Sequence, residues 1–462
     1  MSVSGHITAM TVGGNKVTKA YYNGQLVFDQ SSTSTGVSGC IAFVGDDEFS
    51  VTKENCGNGT LEYSTDKTNW TSFSSSTTVH AVYSNSLKQY VVYYRGKGNT
   101  QLSGQSEAGG FSVESSSSNL SYVKVIGDIN CLLDYSVVAI GNTPQYDNYC
   151  FYCLFRDCWL ITECDFTLPE RTVPHYAYAY MFQGCDRLTK PPVIGAKTVG
   201  QYGMYSMFYG CSGLHSMDQD SFDIYSVNTY GLGSMFYDSG LETAPAFTTE
   251  QLMLQESACE EMYANCHSLV TGVPEMHLYV IGNMCCYCMY NSCDSLTTGT
   301  KLDIHANISA HAFQQMYMEC SSLTDPGSIA QNNKSVGAYA FSQMYNYCDS
   351  LATLPDYTGV EFGESSCYGM FDYCSSLKQI YSFTSLGDGV RTVSDIINNG
   401  SVSDMYNGNT NIIIMRVSAD ECVNAFKFTT VAITDSQDME YANYTIPAGE
   451  TRYTNATIKF AG

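Results

Sequence analysis

Cysteine is the residue in this chain with the most chemistry to offer, with 20 copies in 462 residues. Cys158, Cys185, Cys211, Cys266, Cys293, Cys320, Cys348 and Cys374 recur at nearly even steps. An array of thiolates would be a metal or redox ladder. An array of buried thiols would be small apolar filling. Ser239 and Asn409 stand at the same place in two further copies of the pattern. Packing tolerates such exchanges more readily than ligation does, so a packing ladder is expected. Cys285, Cys286 and Cys288 with Cys293 have the soft donors zinc prefers. They crowd one short segment and are poorly spread for a tetrahedron. Cys150 and Cys153 spell Cys-x-x-Cys without the fold context of a redox motif.

The other reactive types are scattered. The eight His do not cluster in sequence, and His267 and His311 are expected to face solvent. Paired carboxylates occur at Glu260-Glu261 and Asp46-Asp47, with nothing to place them in a cleft. No nucleophile elbow, His-Glu-x-x-His, phosphate loop or dinucleotide fingerprint is present. No catalytic residue, metal or cofactor is therefore expected. Tyrosine is the informative excess, at 37 residues. Tyr263, Tyr290, Tyr317 and Tyr345 fall at expected core positions, whereas Tyr209, Tyr237, Tyr347 and Tyr373 fall at outward ones. An exposed phenol gives large contact area at low entropic cost, so these four are the candidate ligand-binding residues.

Composition narrows the partners. Lys plus Arg is 21 against 45 Asp plus Glu, a net charge of −24. Nucleic acid and anionic membrane surfaces are disfavoured, because both recruit clustered cations. Charged residues are 14 %, below the roughly 25 % of ordinary domains. No apolar run reaches the roughly 18 residues of a membrane helix. The opening Met-Ser-Val-Ser-Gly-His-Ile-Thr-Ala-Met has neither the cationic patch nor the apolar stretch of a secretory signal. Synthesis in a cytosol, with reduced thiols, is the expectation.

A repeat must position these residues. The octet Met-Phe/Tyr-x-x-Cys-x-x-Leu begins at Met181, Met207, Met262, Met289, Met316, Met344 and Met370. Weaker copies begin at Leu154, Met235 and Met405. From Leu154 to Met370 the steps are 27, 26, 28, 27, 27, 27, 28 and 26 residues. A small and an apolar residue precede each Met by four and three positions, as in Ala177-Tyr178 and Gly203-Met204. With Met, the aromatic and Cys they fill relative positions 1, 2, 5, 6 and 9, the stripe of a short helix. An extended stretch follows, often with Pro, as in Leu188–Ile194, Leu241–Phe247 and Leu351–Tyr357. Pro there suits a strand end. Units of short helix and short strand cannot bury their apolar faces alone, so they stack as an α/β solenoid.

The octet followed by Leu-x-x-x-Pro resembles the leucine-rich repeats of BspA-like bacterial surface proteins. Its Met-Phe/Tyr form with Tyr-rich flanks is also similar to fibre and adhesion proteins of phages that infect gut Bacteroidetes. The likeness covers about residues 150–410. It implies a binding surface on a repeat scaffold. Tyr21-Tyr22-Asn23-Gly24-Gln25-Leu26-Val27 looks like the opening motif of many phage virion accessory proteins. That likeness implies an attachment role for Tyr21, Tyr22, Leu26 and Val27.

The expected organisation has five parts. Residues 1–29 form an N-terminal β attachment module, with hairpin turns at Gly13-Gly14-Asn15 and Asn23-Gly24. Residues 30–36 are a Ser/Thr linker, and 37–115 an all-β, sandwich-like domain in which Trp70 anchors the core. Residues 120–410 are the leucine-rich-repeat solenoid of about ten coils, capped by β structure at 411–462. The expected function is that of a bacteriophage virion structural protein, a head or tail fibre or receptor-binding accessory protein at the virion surface. Its partners would be other virion proteins and a host-surface or mucosal glycan or surface protein, bound noncovalently and multivalently. A homo-oligomer is expected, with a trimer implied by the resemblance. The alternatives are a bacterial cell-surface adhesin and a polysaccharide depolymerase.

Overall fold

A computed structural model describes residues 37–352, apart from 56, 106–108, 116–121, 169–171, 218, 220 and 332–334. It also describes scattered positions from 366 to 376 and the backbones of seven outlying strands. The linker at 30–36, the repeat copy at Met405 and most of the C-terminal cap region lie outside the described residues.

The chain is a β-solenoid. Short strands stack in parallel, one coil on the next, in a seven-stranded sheet. That sheet runs from Thr172–Val173 through Thr198–Val199, Ser226–Val227, Leu252–Leu254, Glu275–Ile281 and Lys301–Ile304 to Ser328–Gln331. Residues one repeat apart are partners, as in Val173 with Val199 and Val199 with Val227. Pro192 and Pro245 stand immediately before the short strands Val193–Ile194 and Ala246–Phe247, where a missing N–H is tolerated.

The short helix expected in each repeat is absent from the described coils. Its place is taken by a ribbon of overlapping turns. In one coil the N–H groups of Ala177, Ala179, Met181, Gln183 and Cys185 donate to carbonyls three residues back. The alternate N–H groups, of Tyr176, Tyr178, Tyr180, Phe182 and Gly184, donate to carbonyls of the next coil at 2.8–3.2 Å. Every fourth residue has positive φ: Tyr176 at 53°, Tyr180 at 57° and Gly184 at 72°. Each non-glycine in that region costs roughly 1–2 kcal/mol. The return is that half of the ribbon's donors bond between coils, which a helix satisfied within itself cannot offer. The inward set is as expected: Ala177, Tyr178, Met181, Phe182 and Cys185 are all buried. The small position is set by the strand behind it. A Cβ added to Gly231 would lie 2.7 Å from Val227 Cγ1.

Two ladders fill the core. Phe155, Phe182, Phe208, Phe236, Tyr263, Tyr290, Tyr317, Tyr345 and Phe371 stack with centroids 5.3–5.4 Å apart. Beside them each ladder thiol from Cys185 onward donates to the carbonyl of an aromatic residue one coil back. Examples are Cys185 to Phe155 at 3.0 Å, Cys293 to Tyr263 at 3.1 Å and Cys374 to Tyr345 at 3.0 Å. Three of the ladder's four tyrosine hydroxyls, those of Tyr290, Tyr317 and Tyr345, are also used. Tyr290 accepts from the Val273 N–H at 2.9 Å, and Tyr317 accepts from the Thr300 N–H at 2.8 Å.

Ahead of the coils, Ile41–Gly45 pairs antiparallel with Gln89–Lys97 and Val123–Gly127. Val123–Gly127 in turn pairs parallel with Ile161–Asp165, so one sheet passes from antiparallel to parallel order at that strand. A single apolar core runs from Ile41 to Cys374. A short kinked helix, Cys131–Val138, packs on Gln89–Lys97. Trp70 is half-buried on a side cluster with Cys40, Val44 and Tyr93. The Arg95 guanidinium lies 4.0 Å from its ring and 4.0 Å from that of Tyr135. At the N-terminus Met10–Val12 pairs with Asn15–Val17, and Lys19–Tyr22 with Gln25–Asp29. Within 411–462 three strands pair as Tyr441–Thr445, Thr430–Asp435 and Ala456–Phe460.

Candidate binding surface

The four outward tyrosines form two separate pairs. Tyr209 and Tyr237 stack with centroids 4.8 Å apart and planes 1° from parallel. Tyr347 and Tyr373 stack at 4.5 Å and 5°. Five coils separate Tyr209 from Tyr347, roughly 24 Å at the spacing of paired strands, so the four do not form one site. Tyr209 and Tyr237 are half-buried, and the Asn265 amide donates to the Tyr237 hydroxyl at 2.5 Å. Tyr347 and Tyr373 are exposed.

A larger aromatic surface lies on the first coils, on residues the sequence reading did not select. Tyr149, Tyr176, Tyr202 and Tyr230 occupy the first positive-φ position of successive ribbons, at 53–64°. Their rings stack at 4.9, 4.7 and 4.9 Å, within 9° of parallel. Tyr152 and Tyr205 pack edge-on against this ladder, and His175 sits edge-on to Tyr176 at 4.4 Å. Tyr152, Cys153 and Ala179 are buried beneath, in an apolar cluster distinct from the main core. The ladder breaks at Ser257 and Met284, and resumes with His311 and Tyr339 at 5.3 Å.

Stacking decides what such a surface can do. A ring inside the ladder has both faces covered by its neighbours. Tyr149, Tyr176, Tyr202 and Tyr230 are half-buried, so what exposure an inner ring has is at its edge and hydroxyl. The ladder is therefore a comb of phenol groups at the coil spacing, and only its end rings offer a face for sugar stacking. Burial pushes the Tyr176 and Tyr202 hydroxyls further above neutrality than the ordinary phenol, which is itself a protonated donor in neutral water. Glu260, whose charge bears on Tyr202, is half-buried, and that burial raises its carboxyl. Glu261 accepts from the Ser234 hydroxyl at 3.4 Å. Asp46 accepts from the Gln89 amide at the far end of the molecule.

The cysteines do not gather into a ligand set. All 17 described cysteines are buried. Burial pushes Cys266 up to about 11 and Cys158 up to about 12. Cys288 turns away from Cys285 and Cys286, donating to Gln315 Oε1 at 3.3 Å, while Cys293 joins the core ladder. Of the histidines, His267 is exposed and paired with Asp294 at 2.9 Å. His311 is half-buried, with its ring stacked on that of Tyr339. Among the described residues, His277, Asp303 and His305 are the group whose donor atoms lie close enough to hold a metal ion.

Tyr21, Tyr22, Leu26 and Val27 belong to the hairpin of Lys19–Tyr22 with Gln25–Asp29, where Tyr21 is opposite Leu26. No described helix is long and apolar enough to cross a membrane. No protein-family model, curated protein or solved structure matches the chain.

Proposed function

We propose that this chain is a noncatalytic structural protein of a bacteriophage particle, a head or tail fibre or receptor-binding accessory protein. Its solenoid would present a phenol comb to a host-surface or mucosal glycan or surface protein. The observation that carries this reading is the ladder Tyr149, Tyr176, Tyr202 and Tyr230. The ribbon holds this position at positive φ in every described coil, and in four successive coils a Tyr occupies it, so the phenols recur at the coil spacing. The repeat resemblance and the Tyr-Tyr-Asn-Gly motif supply the phage context. In this reading the N-terminal hairpins, with Tyr21, Tyr22, Leu26 and Val27, dock on the particle, and the BspA-like repeat is kept as the ancestry of the coil. Evenly spaced hydroxyls suit a polymer that offers an acceptor at each step, and many weak contacts add as avidity.

Two measurements test this. Mass spectrometry and cryo-microscopy of purified particles should find the chain, with a projecting solenoid rooted at its N-terminal strands, and would give the oligomer. Its presence on cell envelopes alone would replace the virion role with that of an adhesin. Replacing Tyr176 and Tyr202 together with Ser should weaken adsorption to host cells, while circular dichroism stays that of the parent. Unchanged adsorption would remove the comb from the binding surface.

A further inference from the structure

The strands Glu275–Ile281 and Lys301–Ile304 carry a second feature, on the sheet side of the solenoid. Met276, Leu278, Leu302 and Ile304 turn inward and are buried. The alternate residues therefore face outward. His277 is the direct partner of Asp303 across the two coils. His305 follows Asp303 by two residues and so lies on the same face. Asp303 Oδ2 is 2.7 Å from His277 Nδ1 and 2.9 Å from His305 Nε2. The three donor atoms all lie within 4.8 Å of one another. The Tyr279 ring lies flat against the His305 imidazole, 4.4 Å away and 18° from parallel, which limits its rotation.

The other exposed His–carboxylate pairs differ in kind. His215 with Glu242 and His267 with Asp294 each bring one imidazole to one carboxylate. Here two imidazoles converge on one carboxylate oxygen. The formal charges around them also differ in sign. Asp303, Glu275 and Glu250 are negative, and Lys301, the strand partner of Glu275, is a cation set against them. With neutral imidazoles the face carries a net charge of about −2 by this sum, which draws a cation.

We propose that His277, Asp303 and His305 form a surface site for a borderline divalent transition-metal ion: zinc, cobalt, nickel or copper. Two imidazole nitrogens and one carboxylate oxygen suit these ions, while calcium and magnesium prefer all-oxygen shells. A tetrahedral ion about 2.0–2.1 Å from each donor needs donors about 3.3 Å apart. The observed spacings reach that through small side-chain rotations. Three protein ligands leave a coordination position open to water or to an outside donor. The ion would also join one coil to the next, because His277 belongs to one strand, Asp303 to the following one, and His305 lies just past that strand's end.

The test uses the full chain and cobalt(II) as the probe. The parent should take up one ion per chain, with visible d–d absorption and no thiolate-to-cobalt band in the near ultraviolet. Zinc should compete with cobalt and raise the melting temperature. His305→Gln and Asp303→Asn should each weaken uptake by about tenfold or more. His267→Gln, at the one-imidazole pair, should bind as the parent does. His305 is exposed, so His305→Gln should leave the circular dichroism spectrum unchanged and separate lost ligation from lost folding. The proposal is overturned by absence of saturable uptake in the parent, by uptake equal to the parent's in both site variants, or by a thiolate band.

Discussion

Tyr263 and Tyr290 lie ring on ring, centroids 5.4 Å apart and planes 6° from parallel, yet their hydroxyls have opposite fortunes. Tyr290 takes the Val273 N–H and meets Thr300 Oγ1 at 3.2 Å. The Tyr263 hydroxyl is buried without a partner among the described residues. A buried polar group left unpaired costs roughly 1–3 kcal/mol. Tyr263→Phe is therefore expected to stabilise the fold by about 1 kcal/mol, and Tyr290→Phe to destabilise it by about 1–2 kcal/mol by orphaning the Val273 N–H. Chemical denaturation of the two variants reads both signs. Destabilisation by both would show that the Tyr263 hydroxyl has a partner after all.

The turn ribbon reverses a familiar ranking. In a helix, Gly costs more than Val. Asp238 is exposed with φ at 55°, its N–H donating to the Ala264 carbonyl at 3.0 Å. Gly adopts that backbone freely, and a β-branched residue resists it. Asp238→Gly should be within about 0.5 kcal/mol of the parent, and Asp238→Val should be lower by about 1–2 kcal/mol. Melting temperatures of the pair decide it, and the helical order of the two would contradict the ribbon.

Buried thiols make the fold sensitive to alkali. Burial holds Cys266 near 11 and Cys158 near 12. The folded state thus binds these protons more tightly than the unfolded chain, whose thiols titrate near pH 8.5. Below that pH both states are protonated and the thiols add no pH dependence. Above it the unfolded state sheds protons first, so stability falls as pH rises. The slope is up to about 1.4 kcal/mol per pH unit for each such thiol, ending near its folded value. Urea midpoints at pH 7, 8, 9 and 10 should decline across the last two. A flat series would mean the thiols are accessible.

The same ladder should be chemically silent. The Cys211 thiol donates to the Phe182 carbonyl at 3.1 Å and is wholly buried. Iodoacetamide applied to the native chain at pH 8 should leave Cys185, Cys211, Cys293 and Cys320 unmodified, and urea should open them together. Peptide mass spectrometry reads the pattern. Rapid labelling of one ladder cysteine in the native chain would argue against a continuous packed stack.

The inward residues were legible because their spacing repeats. Met181, Phe182 and Cys185 recur every 26–28 residues, and all are buried. The backbone that carries them was not legible from those positions. Residues 1, 2, 5, 6 and 9 fit a period of 3.6 and a period of 4 equally well over so short a span. The fourth octet position held the missing signal. Gly184, Gly210, Asp238 and Asn265 are residues that tolerate positive φ, and they recur where a helix has no use for them. The phenol comb was missed although its signal was present, since Tyr149, Tyr176, Tyr202 and Tyr230 repeat at the coil length. The His277–Asp303–His305 group was hidden because its members are far apart in sequence and meet only through the register of two strands.

A stack of near-identical rungs carries a hazard: a whole coil can dock one place too early, with most of its contacts intact. The departures from uniformity then act as addresses. Ser239 interrupts the thiol ladder, its hydroxyl 3.4 Å from the Cys266 sulfur. The aromatic ladder changes from Phe to Tyr between Phe236 and Tyr263. The Tyr290 hydroxyl finds a backbone N–H only at Val273. A chain shifted by one coil would set these marks against the wrong neighbours. Perfecting the repeat, by restoring Cys at 239 and Phe throughout the ladder, would erase the information by which each coil recognises its own place.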